Sequence, residues 1–168
     1  GLLKDTSQPI TDLLPVQRPP KPNANQVAIT LGHLLDMTSG IDWKEPLDGL
    51  PESMFQMLRS PDWTTFILDR PMAHAPGVAF NYNSGNSQLL SGILSKATSG
   101  SAEAYARKRL FAPLGITDVL WRKDPKGHST GGFGLYMHPR DMAKIGYLYL
   151  HDGIWQSERL LPPQWTDK

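Results

Sequence analysis

The chain has 168 residues, about one domain's worth, long enough to bury roughly two thirds of its unfolded surface. Seventeen Lys and Arg against sixteen Asp and Glu leave a net charge of +1, which gives no field favouring nucleic acid or an anionic membrane. The apolar runs are far shorter than the ~20 residues of a spanning helix, and the absence of Cys excludes disulfides, a thiolate nucleophile and Cys-ligated metals.

The first five residues have neither a basic leader nor an apolar segment, so no signal peptide is expected among them, and periplasmic, secreted and cytoplasmic settings all stay open. Fifteen Pro and fifteen Gly imply many short elements separated by turns. Residues 15–25 carry four prolines and no apolar period. Residues 1–26 are therefore expected to form an extended Pro-rich strap, with a helical domain over 27–168.

From Val27 the pattern is helical. Thr30 caps a short helix with Leu31, Leu34 and Leu35 on one face, and Gly40 is expected to take the left-handed conformation that ends it. Met54, Phe55 and Leu58 predict a helical turn. Ser60 as cap and Pro61 at the first position open a helix carrying Trp63, Phe66 and Ile67 as far as Pro71. The strongest stripe is Leu89, Leu90, Ile93, Leu94 and Ala97, bounded by Gly85 and Gly100 and predicted to be central to the core. Ala102, Tyr105, Ala106 and Leu110 continue the period to Pro113. Pro139 opens a last helix with Met142, Ile145, Leu148 and Tyr149. Short strands are expected only near 119–122, 133–137 and 153–161, so the fold class is mainly α. Met37 to Gly40 and Ala97 to Gly100 share the run Thr-Ser-Gly, which reads as one capping device used twice.

Gly127, Ser129 and Gly131 fit the G-x-S-x-G spacing of a nucleophile elbow, which would make Ser129 the nucleophile of an alpha/beta-hydrolase. The polar run at 122–126 suits no buried strand and the glycines at 131–134 open no helix, so a glycine-rich loop is the better reading. His33, His74, His128, His138 and His151 show no metal-ligand spacing, and both phosphate-cradling glycine loops are missing. No metal and no cofactor are expected. The five tryptophans are not interleaved with basic runs and read as packing.

Residues 76–90 stand out. A turn leads through Tyr82 and Ser84 directly into the central helix, at its positive end. A tyrosine acting as a base near neutral pH needs its pKa lowered by roughly three units, about 4 kcal/mol, of which one helix end supplies ~1 kcal/mol. A Lys has to supply most of the rest. A buried structural tyrosine is the competing reading.

Residues 30–41, 76–90, 109–116 and 132–143, in that order, resemble landmarks of the serine beta-lactamase family in its broad class C sense. That family also includes penicillin-recognising esterases, D-aminopeptidases and linear-amide hydrolases. The resemblance spans residues 28–166 and implies a serine hydrolase of small ester or amide substrates, working through an acyl-enzyme. It implies that Tyr82 is the catalytic tyrosine, with Ser84 and Asn86 binding substrate; Ser84 stands where many relatives have Asn. The family's Ser-x-x-Lys is absent, as is its third motif, Lys or His followed by Thr or Ser and Gly. The chain therefore resembles the helical insert domain alone, expected to be inactive by itself and to self-associate through the face that would meet a sheet domain. A non-catalytic binding or structural module on the same scaffold is the alternative.

Overall fold

The computed structural model describes residues 3–14, 24–45, 53–163 and 165–167. It is mainly helical, with two small antiparallel hairpins among the described residues. The chain forms two compact units, one from Gly1–Ala102 and Arg122–Gly134, the other from Glu103–Trp121 and Leu135–Lys168.

The first unit holds α1 (Ile10–Leu13), α2 (Ala24–Val27), α3 (Leu31–Leu35), α4 (Ser53–Leu58), α5 (Trp63–Leu68) and α6 (Ser84–Thr98). Its core gathers Ile10, Ile29, Leu34, Met57, Trp63, Ile67, Leu89 and Ile93, and each such side chain stabilises the fold by about 1.5–3 kcal/mol on burial. Helix α6 packs against α1, α3 and α5. Compaction begins well before the expected boundary at Val27. Ile10 and Leu14, four residues apart, are buried together, and the Ile10 N–H donates to the Ile29 carbonyl at 3.0 Å. Of the expected strap, residues 15–23 lie outside the described residues.

Several local expectations are corrected. Helix α5 is capped by Asp62, whose carboxylate accepts from the Thr65 N–H at 3.1 Å, and Ser60 instead accepts from the Asp62 N–H at 3.2 Å. A carboxylate three residues before a free N–H competes better than a hydroxyl, and Pro61 is left outside the helix. Met37 (φ 56°) takes the left-handed turn directly after α3, and Ser99 (φ 53°) closes α6. The shared Thr-Ser-Gly run is thus used in two different registers. Gly40 is also left-handed, and a Cβ there would lie 2.3 Å from the His74 carbonyl oxygen. In α4 the buried residues are Ser53 and Met57, whereas Phe55 is 51% exposed.

The stripe on α6 is only half of its buried surface. Gln88, Ser91 and Ser95 are buried as well, on the side covered by the loop at 122–134. Gln88 donates to Asp124 Oδ2 (3.1 Å) and accepts from the Gly131 N–H (2.8 Å), and Ser91 donates to the Ser129 carbonyl (2.6 Å).

The second unit is built on Phe111, Leu114, Ile116, Val119 and Leu148. After α7 (Ala102–Ala106) the chain continues into a π-helical turn, Arg107–Phe111. Strand β1 (Val119–Trp121) pairs with β2 (Leu135–Met137) in the register Val119↔Met137, and β3 (Ile154–Trp155) pairs with β4 (Glu158–Arg159). Helix α8 (Pro139–Leu150) has Pro139 at its first position as expected, but only Leu148 of its predicted stripe is buried. Met142 and Tyr149 are exposed, because no described element covers their side of the helix.

A Cβ at Gly131 would fall 1.9 Å from the Ser87 carbonyl oxygen. Gly131→Ala is therefore expected to cost about 3 kcal/mol in urea unfolding, since both contacting groups are backbone. Burial pushes the Asp62 carboxyl up, but hydrogen bonds from Thr65 and the Lys126 charge outweigh it and leave the group below its ordinary value. Asp62 then contributes stability at neutral pH that is lost as pH falls through its folded pKa. The stability deficit of Asp62→Asn, measured by thermal unfolding, is expected to close below about pH 4.

Candidate active site

The segment entering α6 is an extended ribbon held along one edge. The Gly77 N–H donates to the Thr38 carbonyl (2.8 Å), the Asn81 N–H to the Met37 carbonyl (2.9 Å) and the Asn81 side chain to the Trp43 carbonyl (3.0 Å). Side chains then alternate, as in any extended chain. Val78, Phe80 and Tyr82 face outward at 70%, 72% and 58% exposure, whereas Asn83 is buried. The Tyr82 hydroxyl has no hydrogen-bond partner among the described residues.

Asn83 is the N-cap of α6, and its side-chain oxygen accepts from the Asn86 N–H at 3.1 Å. That bond fixes the amide's orientation and leaves Nδ2 buried without a partner. Tyr82 is thus the residue just before the cap, at the positive end of a helix of fifteen residues. The first turn of α6 carries no acid of its own. Glu45 supplies one from a distant part of the chain: its Oε1 accepts from the Ser84 N–H (2.6 Å), the Ser84 hydroxyl and Trp43 Nε1 (2.7 Å). Trp43 lies so close over Gly85 that a Cβ there would meet its ring at 2.8 Å.

Of the three residues assigned to the site by resemblance, only Tyr82 is presented at the surface. Ser84 is 4% exposed and engaged by Glu45; Asn86 is fully buried and accepts from the Ser39 hydroxyl at 2.9 Å. Both are enclosed because the first turn of α6 is inserted beneath the ribbon. Glu45, Trp43 and Ser39, which hold this turn, lie 39 to 47 residues from their partners and leave no periodic signal in the sequence. Ser129 is buried in an irregular loop that forms a single antiparallel bridge, Lys123↔Ser129, so the nucleophile-elbow reading fails for want of a parallel strand leading into it. His33 closes a capping box with Thr30, and His128 and His138 sit on Asp124 and Asp118.

The beta-lactamase family profile matches residues 4–168. The same architecture appears in a Bacillus anthracis protein assigned as a 6-aminohexanoate-dimer hydrolase, with a TM-score of 0.80 and 21% identity over 98% of this chain and 46% of that one. It appears also in a Bacteroides dorei protein assigned as a beta-lactamase (TM-score 0.73, 23% identity, 98% of this chain and 48% of that one). Simvastatin synthase from Aspergillus terreus is similar at 27% identity and a TM-score of 0.57, over 83% of this chain and 40% of that one. Comparison with curated proteins returns no match. The fold and the segment order define a helical part of a hydrolase-related scaffold. The chain belongs to the beta-lactamase family, and it spans about half the length of the solved structures it resembles.

Removing the carboxylate that anchors α6 leaves three donors unserved. Glu45→Ala is expected to destabilise the protein by about 2–3 kcal/mol, and Glu45→Gln, which keeps an acceptor, by about 1 kcal/mol. Chemical denaturation of the two variants checks the ordering.

Proposed function

We propose that this chain contributes the tyrosine of a serine hydrolase that cleaves ester or amide bonds through an acyl-enzyme. The observation that carries the reading is the setting of Tyr82: more than half exposed, without a hydrogen-bond partner among the described residues, and carried on a ribbon whose inward side chains are locked. A phenol held this way is preorganised without being consumed by the fold.

In the proposed cycle a serine hydroxyl, from a Ser-x-x-Lys pair that this sequence lacks, attacks the substrate carbonyl. Its proton passes to the Tyr82 oxygen and on to the departing alcohol or amine. Water then enters and attacks the acyl carbonyl while giving a proton to the Tyr82 oxygen, which passes it to the departing serine oxygen as the acyl group leaves as acid, restoring both residues. The positive end of α6 favours the phenolate by ~1 kcal/mol, and the Lys of the missing pair supplies the larger share. The outward stripe of Val78, Phe80 and Tyr82 is the surface on which the remainder of the site, or a second copy, would pack. Ser84 and Asn86 act from below, positioning Tyr82 rather than touching substrate.

In the intact protein, Tyr82→Phe is expected to lower kcat for a chromogenic ester at least ~100-fold with little change in KM. Residues 1–168 alone are expected to show no turnover. A loss in kcat under threefold in the folded variant would remove Tyr82 from the reaction.

A further inference from the structure

We infer that Phe80, with Val78 behind it, selects the substrate of the reaction proposed for Tyr82, and that the departing alcohol or amine is apolar and uncharged. The inference rests on that reading of Tyr82 and adds to it the class of group the site accepts. The three side chains stand in one row. Residues 78, 80 and 82 alternate outward along the ribbon at 70%, 72% and 58% exposure, so each starts about 6.6 Å from the next at ~3.3 Å per residue.

The first observation is how the row is fixed. Asn81, between Phe80 and Tyr82, is tied twice, its N–H to the Met37 carbonyl (2.9 Å) and its side chain to the Trp43 carbonyl (3.0 Å). Ala79, on the other side of Phe80, is half-buried, and the Gly77 N–H on the Thr38 carbonyl holds the start of the row. Phe80 and Tyr82 therefore spring from one fixed stretch of backbone, and a group engaged by the Tyr82 oxygen lies within reach of the Phe80 ring. Neither Val78 nor Phe80 belongs to the core of the first unit, so packing among the described residues gives no reason for two large apolar side chains there.

The second observation is the lack of charge. Residues 75–95 hold no charged side chain, against 20% over the whole chain. Glu45, the carboxylate brought to this segment, is turned onto Ser84 and Trp43 at the first turn of α6. A cationic or anionic group laid along the row would surrender hydration to a wall with no counter-charge. An alkyl or aryl group surrenders nothing of the kind, and it recovers the apolar area that Val78 and Phe80 leave in water.

The chemistry says which part of the substrate meets the row. In the proposed cycle Tyr82 hands its proton to the departing atom, so that atom lies within hydrogen-bond distance of the phenol. The group it carries is then the part of the substrate nearest Phe80. The acyl part stays bonded to the serine, which the Ser-x-x-Lys pair supplies from outside this sequence. A hexyl chain on the departing oxygen is long enough to lie against Phe80, and a methyl group is not.

Hydrolysis of the methyl, hexyl and choline esters of butyrate by the intact protein, followed by acid release, tests this. The hexyl ester is expected to exceed the other two by about tenfold or more in kcat/KM. Phe80→Ala should cut the hexyl-to-methyl ratio about fivefold, through KM rather than kcat, and Phe80→Leu should restore most of it. Across methyl esters from acetate to hexanoate, the same variant should change the ratio by under about twofold. The thermal midpoint of the intact variant should move by no more than about 2 °C, as for an exposed side chain. An unmoved hexyl-to-methyl ratio, a preference for the choline ester, or an effect confined to the acyl series overturns the assignment. So does a larger fall in midpoint with the ratio unmoved, which would make Phe80 a packing residue against the rest of the protein. The reading of Tyr82 fails separately, by undiminished kcat of Tyr82→Phe on all three butyrates.

Discussion

Between Ser84 and Ser95 every residue of α6 is buried or half-buried, although eight of those twelve positions are polar or glycine. A buried helix with polar side chains has to obtain their hydrogen bonds largely from elsewhere in the chain, and the rest of the first unit provides most of them. Glu45 serves the first turn, Ser39 serves Asn86, and Asp124 with the Gly131 N–H serves Gln88. Each such bond adds only about 1 kcal/mol net, but leaving one unmade costs 1–3 kcal/mol. That asymmetry makes the network a condition of folding rather than an embellishment of it.

The same condition shapes the ribbon before α6. Its inward residues are drawn into the network, Asn81 to the Trp43 carbonyl and Asn83 to the Asn86 N–H, and strict alternation then turns Val78, Phe80 and Tyr82 outward. Tyr82 owes its accessibility to its neighbours' burial. Ser84 and Asn86, one turn further on, are past the point where the chain goes under, which explains why residues so close in sequence differ so much in exposure.

What was legible in the sequence follows the range of the forces involved. Apolar periodicity marked α6, the Trp63 and Ile67 face of α5, and the places where only short strands form, because each depends on neighbours within a turn or two. The order of four local segments marked the family. The polar face of α6 was not legible: Gln88 meets Asp124 from 36 residues away, and such a pair leaves no spacing to read. Nor were the helix ends, where the left-handed residue directly after α3 is Met37, three positions before Gly40, and the one that closes α6 is Ser99 rather than Gly100. There tertiary contacts decided what local propensity had only weighted.

Because the ribbon grips the protein through backbone groups and the asparagines at 81 and 83, the identities at 78 and 80 are free of structural duty. An ancestor could have exchanged those two bulky residues for others while leaving the interior undisturbed. Such a division between a fixed inner row and a replaceable outer row lets one scaffold diversify what it recognises at almost no cost in foldability.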